Sequence, residues 1–272
     1  MRTIVHLSDL HFGRTEASLY EPLLAAVGAA KPDLVVVSGD LTQRARVWQF
    51  RQAHAFLERL TAPILVVPGN HDVPLDNPIL RAFAPWTRYR RWISEDLEPS
   101  YEDDELVVAG LNTVTPRAWQ RGRIKERQVA HLCAIFERSG DADRTRVVVG
   151  HHPFAQSPDD VRKAPTRGAR SALARLAACG ADIFLTGHLH AWHASPSDHA
   201  VVAVPDVLLV QAGTGLSDRL RDEVNSFNLL RVSPRTVAVE RIEHVALERV
   251  FRAAQRETFS RGASGWTRSV SQ

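Results

Sequence analysis

The chain has 272 residues, 44 % of them hydrophobic and 24 % charged, with 34 basic against 31 acidic side chains for a formal charge of +3. Those proportions exclude a disordered tail or a fibrous repeat, and no apolar run approaches the ~18 residues of a membrane-spanning helix. So mild a basic excess permits an anionic substrate without pointing to a nucleic-acid partner. The opening segment meets Ser8 and Asp9 too early to hold a secretory apolar region, so a cytoplasmic setting is expected. The two cysteines, Cys133 and Cys179, sit alone in separate helix-like segments, and neither a disulfide framework nor a thiolate metal cluster is expected.

In chain order, Thr3 to Leu7 reads as a buried strand and is followed by Asp9-Leu10-His11. A helix is expected over Ala17 to Ala30, then a strand over Asp33 to Val37 leading into Gly39-Asp40. Another helix over Val47 to Leu60 precedes a strand over Ile64 to Val67, which runs into Gly69-Asn70-His71-Asp72. Residues 73–99 read as a helical, cap-like excursion containing Trp86-Thr87-Arg88-Tyr89-Arg90-Arg91-Trp92. The alternation resumes with a strand over Leu106 to Leu111, a helix over Lys125 to Arg138, and a strand over Arg146 to Val149 that ends in Gly150-His151-His152. A helix over Arg170 to Cys179 and a strand over Asp182 to Leu185 lead to Gly187-His188-Leu189-His190. Strands alone continue over Val207 to Val210, Asn228 to Val232 and Thr236 to Ile242. Residues 1–252 are thus expected to form one α/β domain with mixed sheets. The tail over 253–272, polar and rich in Ser and Arg, is expected to be partly disordered.

The polar clusters all follow expected strands, and ligands of α/β sheets gather beyond the carboxyl ends of strands. On one shared sheet edge, His11, His71, His151, His152, His188 and His190 would meet Asp9, Asp40 and Asn70. These are nitrogen and oxygen donors without sulfur, a set suited to manganese, iron or zinc. Asp9-x-His11 and His188-x-His190 are each expected to point two donors to the same side of an extended backbone.

The ordered series Asp-x-His, Gly-Asp, Gly-Asn-His-Asp, Gly-His-His and Gly-His-x-His resembles the calcineurin-like metallophosphoesterases, in particular the bacterial class III branch of cyclic-nucleotide and glycerophosphodiester phosphodiesterases. The likeness runs from about Ile4 to Ile242. It implies a four-layer α-β-β-α sandwich of two mixed sheets, with two divalent or mixed-valence ions at one sheet edge. Asp9, His11 and His190 would hold one ion, Asn70, His151 and His188 the other, and Asp40 would bridge them. A hydroxide between the ions would attack a small phosphodiester in line. His71 would be the general acid, a contribution of ~10² to 10⁴ in rate, with Asp72 orienting it.

On the substrate side, Arg14, Trp86, Arg90 and His152 are candidates, as is the Asn225-Ser226-Phe227-Asn228 run at the rim. His152 reads equally as support for His151, and the Trp86 to Trp92 segment equally as a packed helix. The same constellation serves nucleotide-sugar lipid pyrophosphatases, phosphomonoesterases and nucleases, and a non-catalytic metal-binding scaffold is the alternative of another class. A peripheral lipid substrate and a homodimer stay open.

Overall fold

The computed structural model describes residues 1–118, 120–140, 143–155, 165–197, 207–220, 223–262 and 265–269. In chain order the strands are β1 (Arg2–Leu7), β2 (Leu34–Ser38), β3 (Ile64–Val67), β4 (Ser100–Glu102), β5 (Leu106–Leu111), β6 (Thr145–Gly150), β7 (Ile183–Thr186), β8 (His193–Pro196), β9 (Leu208–Gln211), β10 (Ser226–Ser233), β11 (Thr236–Val245), β12 (Val250–Gly262) and β13 (Gly265–Ser269). The helices are α1 (Tyr20–Ala30), α2 (Val47–Leu57), α3 (Pro78–Phe83), α4 (Thr87–Trp92), α5 (Glu126–Arg138) and α6 (Ala169–Ala178). One sheet has the order β13-β12-β11-β10-β1-β2-β3 and the other β4-β5-β6-β7-β9-β8.

Period-two alternation divides the core into three. Ile4, Leu34, Val36, Leu65 and Val67 point between the sheets, toward Leu106, Val108, Val147, Val149 and Ile183. Their neighbours Val5, Val35, Val37 and Val66 point outward, to the layer containing Leu23, Val27, Phe50 and Phe56 of α1 and α2. On the far side, Val107, Ala109 and Val148 pack against Leu132, Phe136, Leu173 and Leu176 of α5 and α6. Helix, sheet, sheet and helix make the four layers. Strands buried on both faces explain the uninterrupted run Leu34-Val35-Val36-Val37.

β1, β2 and β3 are parallel, as are β5, β6, β7 and β9. The two sheets bring carboxyl ends together: Nδ1 of His151, just past β6, donates to the carbonyl of Ser38 at the end of β2 over 2.8 Å. That contact joins residues 113 positions apart and sets the location of the site.

Two expectations are corrected. The tail after residue 252 is folded: β12 runs antiparallel to β11 with Phe259 opposite Val237, and β13 forms the sheet edge. Phe259 and Trp266 enter the core between the sheets, while residues 252–256 face solvent. Two widely spaced aromatics in a polar stretch give little periodic signal, and it is the β11 ladder that makes this segment a strand. Residues 263, 264 and 270–272 lie outside the described set. Cys133 on α5 and Cys179 after α6 form a disulfide, their Cα atoms 5.4 Å apart, because two helices that pack side by side bring together cysteines 46 residues apart.

Of the two readings open for the Trp86 to Trp92 segment, its contacts favour the packed helix. α4 lies against α2, with Tyr89 fully buried and its hydroxyl donating to the Val66 carbonyl over 3.2 Å. Trp86 and Trp92 pack on the outer core beside it, so α4 serves as a packing element. α3 starts at Pro78, with the Asn77 side chain accepting from Leu80 N over 2.8 Å, an N-cap worth ~1 kcal/mol.

Candidate active site

Each donor sits just past a strand, and the chain bends sharply to place it. Asp9, His11, Asp40, His188 and His190 all have positive φ, between 50° and 72°. The left-handed region costs a non-glycine residue of order 1–3 kcal/mol and persists where the surroundings impose it. The two His-bearing pairs therefore do not lie on extended backbone, as their spacing suggested: left-handed bends beyond β1 and β7 turn the donors inward. Gly69 allows a further close approach, since a Cβ there would lie 2.1 Å from Asp40 N.

Two donor sets result. His190 Nε2 lies 3.1 Å from Asp9 Oδ1 and 3.3 Å from His11 Nε2. Around His151 Nε2 stand Asn70 Oδ1 at 3.2 Å, His188 Nδ1 at 3.2 Å and Asp40 Oδ2 at 3.3 Å. Asp40 Oδ2 also lies 3.8 Å from His11 Nε2, so this one oxygen faces both sets. Four ligands ~2.0–2.1 Å from one ion are by geometry a little over 3 Å from one another, close to these separations.

The remaining hydrogen bonds leave the right atoms free. His151 donates from Nδ1 to Ser38 O, and His190 from Nδ1 to Arg219 O over 3.0 Å, so each ring turns Nε2 inward, where its neutral form would present a lone pair to a metal. Asp9 Oδ2 accepts from Ser8 Oγ and from His188 N, while buried Asp9 Oδ1 has no hydrogen-bond partner. A buried carboxylate oxygen left unpaired among imidazole nitrogens is a place for a cation.

Electrostatics agree. Burial opposes ionisation of Asp9, but His190 and His11 hold it well below the usual carboxylate range. Asp40 behaves likewise, burial being outweighed by His151, His71 and His11. Burial depresses His151 too, yet Asp40 and Asp9 raise it to about 9. The negative potential that draws a proton to His151 is the potential that would hold a metal ion. Burial lowers His11 to about 4, so it is neutral and ready to ligate.

His71 is placed beside both sets, its N–H donating to Asp40 Oδ1 over 2.8 Å. Its ring donates from Nδ1 to the Gln43 carbonyl over 2.8 Å, which leaves Nε2 to accept from Arg219 Nη1 at 3.2 Å. Burial lowers the His71 pKa, aided by Arg219 and resisted by Asp40 and the Gln43 carbonyl. Asp72 does not orient this ring. Its carboxylate accepts from Leu41 N, Thr42 N, Thr42 Oγ1 and Gly69 N, tying the β2 and β3 loops together. Burial, then Asp40, raises Asp72 to about 7, against the donors of Gly69 and Thr42, which pull it back.

The substrate candidates divide. Arg14 stands at the rim, its Nε 3.1 Å from Asp218 Oδ1. His152 is buried with Nδ1 on Thr113 Oγ1 at 2.7 Å and Nε2 on the Gln120 carbonyl at 3.1 Å, so both ring nitrogens are engaged by protein and the support reading replaces substrate contact. Trp86 is spent on Tyr89, 6.3 Å away between ring centroids, and Arg90 is exposed on α4. Among the described contacts neither meets the histidine cluster. Asn225 does not face the rim: it donates to the carbonyls of Thr214 and Ser217.

Sequence reasoning missed His6, Gln43 and Arg219, which carry no motif. Buried His6 accepts at Nδ1 from Asn228 Nδ2 over 3.2 Å and donates from Nε2 to Ser38 Oγ over 2.9 Å, bracing the residue whose carbonyl holds His151. Burial drops its pKa from 6.5 to about 3. A base depressed on folding contributes stability that is full above 6.5 and is lost as pH falls toward 3, at ~1.4 kcal/mol per pH unit for one proton. His6→Gln keeps both hydrogen bonds without the titration. Urea unfolding between pH 8 and pH 4 should show a shallower acid decline for the variant, and identical slopes would count against this assignment.

The calcineurin-like phosphoesterase family matches residues 2–192. The chain is 35 % identical over 163 residues to a glycerophosphodiester phosphodiesterase of Enterobacter lignolyticus, covering 55 % of this chain and 56 % of that protein. It is 26 % identical over 269 residues to a cAMP/cGMP dual specificity phosphodiesterase of Mycobacterium tuberculosis, covering 86 % of this chain and 77 % of that one. The chain thus spans little more than half the length of the first of these relatives. Among solved structures, a purple acid phosphatase from yellow lupin (Lupinus luteus) seeds superposes with a TM-score of 0.71 at 14 % identity, over 96 % of this chain and 54 % of that one, a likeness of fold. With the family model matched over residues 2–192 and the donors of the two sets gathered where the carboxyl ends of the two sheets meet, not at the edge of one shared sheet as expected, the chain belongs to the calcineurin-like phosphoesterase family.

Proposed function

We propose that the chain is a metal-dependent phosphodiesterase acting on a small substrate of the cyclic-nucleotide or glycerophosphodiester type. The observation that carries this reading is Asp40, whose single oxygen faces both donor sets while His71 stands beside them. The names of the two relatives, one a glycerophosphodiester and the other a cyclic-nucleotide phosphodiesterase, support the substrate class. Asp9, His11 and His190 would hold one ion, Asn70, His151 and His188 the other, with Asp40 shared, and the donor chemistry fits manganese, iron or zinc. When bound, such a pair supplies an acidified water as nucleophile and neutralises phosphoryl charge.

The chain's own residues do the rest. Ser38 and Arg219 carbonyls aim His151 and His190. Gln43 holds the His71 ring by Nδ1, so Nε2 is the atom that, after taking a proton from solvent to form the imidazolium, would pass it to the leaving alkoxide and return to the neutral ring. The cytoplasmic setting also stands as a proposal, and the Cys133–Cys179 disulfide, of a kind rare in a reducing cytosol, is the observation that weighs against it.

Manganese-reconstituted protein should cleave bis(p-nitrophenyl) phosphate faster than p-nitrophenyl phosphate. His71→Ala should keep its metal content and lose ~10²- to 10⁴-fold in turnover on diesters with alkoxide leaving groups. On nitrophenyl esters, whose leaving group needs no proton, the loss should be much smaller. Monoester preference in the wild type, or equal losses on both ester types, would defeat the corresponding half of the reading.

A further inference from the structure

Arg219 approaches the site from a loop that cannot easily move. Gly215 N donates to Ser8 O over 3.1 Å, Glu16 N to Leu216 O over 3.1 Å, and Asp218 N to Arg14 O over 3.0 Å. Asn225 Nδ2 fastens the same loop through Ser217 O at 2.9 Å, and Ser217 Oγ accepts from Arg219 N at 3.1 Å. The Arg219 carbonyl aims His190, so the backbone of this residue is locked to the metal-ligand shell.

The partners described for its side chain are uncharged. Nη1 lies 3.2 Å from His71 Nε2 and 3.5 Å from Gln43 Oε1, both uncharged partners. The neighbouring carboxylate, Asp218, is turned to Arg14. Among the described residues no carboxylate pairs with Arg219. A guanidinium has five donors in a planar fork that matches two phosphoryl oxygens, and here most of that fork is unused beside the atom expected to face the leaving group.

We propose that Arg219 is the anchor for the substrate's phosphoryl group, its guanidinium exchanging neutral His71 and Gln43 for a non-bridging oxygen of a phosphodiester or of the phosphate product. This rests on the phosphoesterase reading above and adds to it a residue that selects for the anion. Arg14, half exposed and paired to Asp218, holds the loop in place from outside.

The test uses the full chain loaded with manganese and inorganic phosphate as probe, measured by titration calorimetry alongside steady-state kinetics. Arg219→Met should weaken phosphate binding and raise KM by about 10- to 100-fold, the range for a charge-assisted hydrogen bond. Arg219→Lys should recover part of both, as a point charge without the fork. Metal content should stay at the wild-type level in both, because the carbonyl that aims His190 is untouched. Arg59→Met, which removes an exposed arginine bonded to Glu21, controls for bulk charge and should change nothing. Unchanged phosphate affinity in Arg219→Met, or a fall in kcat alone, would overturn the proposal, the latter assigning Arg219 to His71 orientation only. Wild-type protein that fails to bind phosphate would overturn it as well. Wild-type protein that binds phosphate through Arg219 but cleaves no diester would remove the phosphodiesterase reading and leave the anchor standing.

Discussion

Asp40→Asn should strip both donor sets of their shared ligand and take the metal centre with it. Asparagine matches aspartate in shape, and its carbonyl oxygen still accepts from His71 N, so the fold has no steric reason to change. What disappears is the charge 3.3 Å from His151 Nε2 and 3.8 Å from His11 Nε2. Loss of a partner one layer outside a metal costs ~10- to 100-fold in affinity, and a ligand facing both sets should cost more than that. The wild type should gain thermal stability as manganese is titrated in, because binding to the native state alone raises the melting temperature. The variant should lose most of that gain, and its diester turnover should fall by more than ~10²-fold. A proton arm makes the test sharper. In the metal-free protein Asp40 and Asp9 overcome burial to raise His151 to about 9, so metal binding at pH 8 must expel a proton from His151. Calorimetry in buffers of different ionisation enthalpy should detect that proton in the wild type and lose it in the variant. Wild-type metal affinity in Asp40→Asn would show that the two sets do not share this carboxylate.

Gly69→Ala should produce nearly the same loss by a purely steric route. The added Cβ would lie 2.1 Å from Asp40 N, 2.1 Å from Asp40 Oδ1 and 2.8 Å from Asp40 Cα. Backbone atoms cannot step aside as a flexible side-chain end can, so the β2 and β3 loops must part. Parting them pulls Asp40 away from both donor sets and breaks the Gly69 N to Asp72 Oδ2 bond of 2.9 Å. Forcing a methyl into a packed site costs ~1–3 kcal/mol, to be read by urea unfolding of the metal-free protein. Metal stoichiometry and turnover should fall with it. Gly28→Ala is the matched control: nothing lies within 4 Å of a Cβ there, and replacing a glycine within α1 should stabilise by ~0.5–1 kcal/mol. Equal effects at the two glycines would show that contact with Asp40 is not the cause.

Much of this architecture is legible along the chain. Strands buried on both faces must be apolar throughout, so β1, β2, β3, β5, β6, β7 and β9 stand out as short Val, Ile and Leu runs. Helices packed on one face show period 3.6, as α5 does through Val129, Leu132, Cys133 and Phe136. Polar residues directly after such strands must sit at the carboxyl edge, so the five clusters are legible from position, while the choice of seven donors among them rests on the family resemblance. The edge strands β4, β8 and β13, and β12 beside β13, are not legible, because a half-exposed strand gets its order from a neighbour's hydrogen bonds more than from its own apolar residues.

What the tertiary structure decided is what depends on residues far apart in the chain. The left-handed backbone at Asp9, His11, Asp40, His188 and His190, a region Asp and His enter more readily than most residues, is fixed there by packing. The partners of His71 are a carbonyl 28 positions away and a guanidinium 148 positions away, and neither Gln43 nor Arg219 differs in local sequence from the chain's other glutamines and arginines. His6 reads as one more strand residue until Ser38 and Asn228 close around it. Local sequence therefore determined which chemistry could gather at the sheet edge, through burial patterns that each element carries by itself. Only the fold decided which groups orient, neutralise and anchor that chemistry, because those roles follow from distances between elements.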